Sequence, residues 1–88
     1  MKTKEKVIPE RTLQAKKIKQ LERDGYYVIK LSKTNKNGIP DILAIPKNAN
    51  VKFVEVKTSV GKVSELQKYR IAELLAHGVE VEVYRGDL

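Results

Sequence analysis

Asp41, Glu55 and Lys57 put three charges into the stretch best suited to form a core, GIPDILAIPKNANVKFVEVKTS over residues 38–59. In an extended strand alternate side chains share a face, so Glu55 and Lys57 point the same way, roughly 7 Å apart. A hairpin symmetric about Asn48 pairs Ile45 with Val51, Leu43 with Phe53, and Asp41 with Glu55. The apolar pairs favour that register over a one-residue slip, which would turn every side chain to the other face. The register has a cost, because directly opposed carboxylates stand about 5 Å apart and repel. One of them would be driven toward protonation, whereas a divalent cation between them favours both ionised forms. Mg²⁺ needs only one or two carboxylates, with water and substrate phosphate completing its shell. An ammonium at Lys57 could then hold the attacking water or stabilise charge developing on a phosphate. The chemistry this spells is metal-assisted hydrolysis of a phosphodiester. A plainer reading stands beside it: Pro40-Asp41 is ordinary turn chemistry, and Glu55 and Lys57 also suit the solvated face of an edge strand.

The elements that must carry these residues follow from periodicity. PERTLQAKKIKQLERDG reads as a helix, with Pro9 at an early position and Gly25 as the stop. Leu13, Ile18 and Leu21 form its apolar stripe, and Glu10 projects onto the middle of that stripe. YYVIKLS is rich in β-formers. KTNKNGIP is a polar loop, and DILAI and VKFVEVK are two strands joined by PKNAN. SELQ has the form of a capping box, with Ser64 as N-cap and Gln67 at the third helical position. The second helix runs to His77 with Gly78 as its stop, and its widely spread apolar residues predict burial on more than one side. VEVEVY alternates Val79, Val81 and Val83 with Glu80 and Glu82, a half-exposed last strand. The order is α-β-β-β-α-β, an α/β fold with a mixed central sheet and helices packed on it.

Eighty-eight residues suit one domain with a modest core, read here as 1–88 with a basic N-terminal tail over 1–8. A hydrophobic share of 41% with 33% charged residues excludes a disordered composition. With no cysteine, neither a disulfide nor a thiolate zinc site can hold the fold. The charged N-terminus has no secretory character, and the apolar run over residues 42–45 is far too short to span a bilayer. The expectation is a cytoplasmic protein that does not enter membranes. The formal charge of +7 makes a polyphosphate partner plausible through counterion release.

With Pro40-Asp41, Glu55-Val56-Lys57 and this element order, the sequence resembles the PD-(D/E)xK nuclease superfamily. More narrowly it resembles a stand-alone VRR-NUC domain, the virus-type replication-repair nuclease module. GIPDILAI is similar to the family's glycine-x-proline-aspartate strand, FVEVK to its glutamate-x-lysine strand, and SELQ to its serine and glutamine. The resemblance spans residues 10–84 and implies a restriction-endonuclease-like fold. It implies that Asp41 and Glu55 ligate a metal, with the Val56 carbonyl as a further ligand and Glu10 reaching the metal shell directly or through water. Lys57 is then the catalytic lysine, and Gln67 orients the water or Lys57. For Gln67 the competing reading is capping alone, since one side chain cannot easily do both; for Glu10 it is a favourable charge at a helix N-terminus. Lys30, Lys33, Lys36 and Lys62 border the site and would grip DNA phosphates, or are plain surface lysines. The implied cofactor is Mg²⁺, with Mn²⁺ as a substitute. The implied partners are branched DNA such as a four-way junction and a second copy in a homodimer. A basic DNA-binding module without catalysis, or a nuclease acting on linear duplex, remains open.

Overall fold

The computed structural model describes residues 7–86. The lysines at positions 2, 4 and 6, and most of the basic tail expected over 1–8, lie outside the described residues. Helix α1 (Glu10–Arg23) is followed by strands β1 (Tyr27–Lys30), β2 (Ile42–Ile45) and β3 (Lys52–Val56), helix α2 (Glu65–Ala76) and strand β4 (Glu80–Tyr84). This is the expected order. The sheet runs β1-β2-β3-β4. Its first three strands are antiparallel, and β4 lies parallel to β3. A parallel pair cannot be closed by a tight turn, and α2 supplies the crossover. Among the described residues no helix is long and apolar enough to cross a membrane.

The β2–β3 pairing is the one the apolar matches favour: Ile42 opposite Val54, Leu43 opposite Phe53, Ala44 opposite Lys52. Ile42, Ala44, Val54, Val56 and Tyr84 fill one face of the sheet and bury Leu13 and Leu21 of α1. Alternation along the strands then sends Glu55 to the opposite face, where α2 begins. Three consecutive residues of β3, Val54 to Val56, are buried, so β3 is covered on both faces, unlike an edge strand.

One sequence expectation changes and one feature is new. Burial of α2 on more than one side is not met, because no residue of α2 is fully buried and Leu66, Tyr69 and Leu75 are exposed. The helix lays one side, carrying Gln67, Ile71 and Leu74, toward the sheet, and among the described residues nothing packs over its outer side. The inward side of α1 also carries a residue the periodicity did not assign to it: Lys17 lies between Leu13 and Leu21 and is buried with them.

Lys17 is tolerated there because β4 supplies its counter-charge. Its ammonium lies 3.0 Å from Glu82 Oε2 and 4.8 Å from the centre of the Tyr84 ring, while Lys52 holds the other Glu82 oxygen at 3.0 Å. Burial alone would push the Glu82 carboxyl up, but the hydrogen bonds from Lys17 and Lys52 outweigh it and leave it below its ordinary value. Its stabilising contribution is therefore present at neutral pH and lost in acid. Glu82→Gln strands a buried ammonium, a change that costs about 3–5 kcal/mol for a fully buried pair. Because the Glu82 side chain keeps 33% of its exposure, the expected loss is roughly 2–3 kcal/mol, read from urea denaturation. A loss within about 0.5 kcal/mol, the range of an ordinary surface substitution, would mean the cluster contributes little.

Candidate metal and phosphodiester site

The register that pairs Ile42 with Val54 sets Asp41 opposite Glu55 at the mouth of the hairpin. Asp41 Oδ2 accepts the backbone N–H of Val56 at 2.8 Å, which fixes that carboxylate against the end of β3. Glu55 is 1% exposed. Its Oε2 accepts from the Gln67 side-chain amide at 2.9 Å and lies 3.6 Å from the Lys57 ammonium. Its Oε1 is buried and has no hydrogen-bond partner. A buried carboxylate oxygen left unpaired is costly unless something else meets it.

Gln67 reaches this position because of how α2 starts. Ser64 Oγ accepts the Gln67 N–H, and Gln67 Oε1 accepts the Ser64 N–H at 2.9 Å. The carbonyl end of the amide closes the capping box while its NH₂ end donates to Glu55. Capping therefore does not exhaust this side chain, since an amide carries an acceptor and donors on separate atoms, and the second bond goes to Glu55 rather than to Lys57.

The electrostatics turn on Glu55. Burial first, and then the Asp41 carboxylate, push its carboxyl up to about 7; Lys57 pulls the other way, and Glu10 adds a further upward push. Glu10, half-buried at the first position of α1, thus acts on the site through its charge.

These residues fit a hard divalent cation. Among the described residues no three or more His, Cys, Asp or Glu side chains gather into a set able to hold a metal ion. Zinc, which is bound by three or four protein side chains, does not suit the site. Mg²⁺ does, because it keeps several waters and takes one or two carboxylates plus phosphate oxygens. Asp41, Glu55 through its unpartnered Oε1, and the Val56 carbonyl are the groups that would hold it.

The lysines divide. Lys33 and Lys36 line a cleft that shares Asp41 as part of its wall. Lys62 is exposed and follows Gly61, which sits against Thr58 beside the Lys57 side chain. Lys30 is not brought to the site: it pairs with Ile42, so its side chain leaves the sheet on the α1 face. Sequence reasoning missed Arg85, whose Nη1 donates to the carbonyls of Thr58 (2.9 Å) and Gly61 (2.6 Å) and ties the segment after Lys57 to the end of β4. No local pattern marks it, because the contact joins residues 24 and 27 positions apart. His77 caps the end of α2 and takes no part.

A family model described as the VRR-NUC domain matches residues 2–88. A solved structure titled "VRR_NUC domain" superposes with a TM-score of 0.78 at 29% identity, covering 88% of this chain and 84% of that one. No curated protein sequence matches the chain.

The raised Glu55 carboxyl gives a stability signature that needs no substrate. The folded state binds this proton more tightly than the unfolded chain, so folding stability falls as pH rises from about 4.5 to about 7. A shift of that size corresponds to about 3 kcal/mol. Without divalent ions, the protein is expected to be less stable at about pH 8 than at about pH 5 by up to that amount. Saturating Mg²⁺ should restore the loss, and Glu55→Gln should remove both effects. Thermal melts at the two pH values read this directly; a flat profile insensitive to Mg²⁺ would contradict the assignment.

Proposed function

The chain belongs to the VRR-NUC domain family, a nuclease-type fold, and from that premise we propose that it is a Mg²⁺-dependent DNA endonuclease, with Mn²⁺ as a substitute. The observation that carries the reading is the buried, unpartnered Oε1 of Glu55 beside Asp41, with Lys57 and Gln67 both turned onto Oε2. The reaction is hydrolysis: water attacks phosphorus, one P–O ester bond breaks, and a phosphate monoester and a free hydroxyl result.

Each residue has a part that follows from its position. Asp41 and Glu55, with the Val56 carbonyl, would hold the metal. When bound, the metal supplies positive charge that polarises the phosphoryl oxygen and lowers the pKa of a bound water. Lys57 places an ammonium at the edge of the carboxylate pair, where it orients the attacking water and offsets charge growing on the phosphate. Gln67 keeps Glu55 from turning its bonded oxygen away, so Oε1 stays directed at the site. Glu10 adds negative charge that favours cation capture. Lys33, Lys36 and Lys62 grip backbone phosphates; Lys30 contributes only to the general positive field.

The preferred substrate is branched DNA, including four-way junctions. The net charge of +7 supports nucleic acid as the partner. Two copies related by a two-fold axis would present two sites to a two-fold junction.

The test is cleavage of end-labelled four-way junction beside linear duplex of matched sequence, with Mg²⁺ and with chelator. Metal-dependent cleavage favouring the junction is expected, and Lys57→Ala should slow it by at least ~10²-fold, the scale of losing one charge-stabilising donor. DNA affinity should stay within about 3-fold, because one lysine supplies little of the counterion-release term. Tight binding with no cutting under any divalent metal would leave a non-catalytic DNA-binding module instead.

A further inference from the structure

The connection from β1 to β2, residues 31–41, is far longer than a hairpin needs, since two to five residues suffice. It is nonetheless well held. At its base Leu31 N–H donates to the Asp41 carbonyl at 2.8 Å. Midway, Thr34 Oγ1 donates to the Lys36 carbonyl and accepts the Lys36 N–H. Near its end, Arg70 Nε reaches from α2 to the Asn37 carbonyl at 2.9 Å. Gly38 has a φ of +83° and packs so close to Leu66 that a Cβ would lie 2.8 Å from Leu66 Cγ. Long, anchored loops of this kind are usually functional.

The loop encloses a cleft of about 280 Å³. Ser32, Asn37 and Thr34 give hydrogen-bonding groups, Lys33 and Lys36 give positive charge, Leu31 and Ile39 give apolar surface, and Asp41 is part of the wall. Its size is near the lower bound of small-ligand pockets, about 300 Å³, which is room for a single nucleotide. A paired duplex, whose major groove alone is about 12 Å wide, cannot enter it. The cations with the amide and hydroxyl groups match one nucleotide's phosphate and base edge, and Leu31 and Ile39 add a small apolar contact for the base.

We propose that this cleft receives one unstacked nucleotide adjoining the scissile phosphate. The proposal rests on the nuclease reading for what lies at Asp41, and it gives that reading a physical basis for selecting substrates. A nucleotide inside a continuous duplex must be unstacked and unpaired before it can enter, at a cost of a few kcal/mol; one at a bulge, flap or branch point has already given up most of that energy. Preference for discontinuous DNA then comes from the cost of unstacking, whichever base enters the cleft.

The experiment uses the full chain carrying Lys57→Ala, so that DNA bound in Mg²⁺ is cut at least ~10²-fold more slowly and the binding is read first. The probe is a duplex with a single-nucleotide bulge of 2-aminopurine, whose fluorescence rises when it leaves the stack. Binding is expected to raise the emission well above that of the free bulged duplex. Ser32→Phe, which fills the cleft from an exposed position, should abolish the rise. Placed alone in the otherwise unmodified chain, it should cut bulged DNA no faster than linear duplex. Lys33→Met with Lys36→Met provides a second variant that leaves the loop's backbone bonds intact, and it should weaken the rise through lost affinity. A rise that survives Ser32→Phe, or preference for bulged DNA with no rise at all, overturns the proposal while leaving the nuclease reading in place. A rise sensitive to Ser32→Phe in a chain that cuts nothing under any metal supports the cleft and removes the nuclease reading.

Discussion

A carboxylate with 1% exposure in the central part of an 88-residue fold is the constraint the rest of the structure answers to. Glu55 could be buried cheaply only as a neutral acid or with compensating charge, and the surroundings offer partial compensation on one oxygen alone. Lys57 and the Gln67 amide both serve Oε2, while Asp41 lies opposite and opposes ionisation. What remains is a carboxyl whose Oε1 is buried without a hydrogen-bond partner. Structural ion pairs do not look like this. The Glu82 cluster on the other face of the sheet does the opposite, surrounding one carboxylate with two lysines and drawing its carboxyl below the ordinary value. The same protein therefore holds one carboxylate with both oxygens engaged and one with Oε1 left open, the latter opposite Asp41, which forms part of the cleft wall.

The scaffold serves this asymmetry through register. A one-residue slip between β2 and β3 would swing Glu55 into the apolar face against α1 and bring Val54 and Val56 out. The apolar matches that prevent the slip, Ile42 with Val54 and Leu43 with Phe53, thus position the site from several residues away. The second helix contributes its first turn more than its body: the capping box fixes Gln67, and the remaining turns rest half-covered on the sheet.

Much of this was legible in the sequence where the signal is local. Alternation located the strands, the symmetric apolar pairs gave the hairpin register, and SELQ marked the cap of α2. Three features were not legible, each because it joins distant segments. Lys17 looks like an exposed helix lysine until β4 brings Glu82 beneath it. Lys30 reads as one of the lysines bordering the site, but its strand partner, Ile42, assigns it to the other face. The bivalent use of Gln67 depends on the position of Glu55 relative to the helix start, which no spacing within SELQ specifies.

If Asp41, Glu55 and the Val56 carbonyl hold one cation together, paramagnetic broadening by Mn²⁺ will centre on them. In ¹H–¹⁵N spectra recorded with substoichiometric Mn²⁺, the amides of Asp41, Glu55, Val56, Lys57 and Gln67 should broaden first. Those at the hairpin tip near Asn48 and at the end of α1 near Arg23 should broaden last, and Glu55→Gln should erase the gradient. Broadening centred on another acidic group, such as Glu65 and Glu73 on α2, or none at any ratio, would mean that Asp41 and Glu55 do not share a cation.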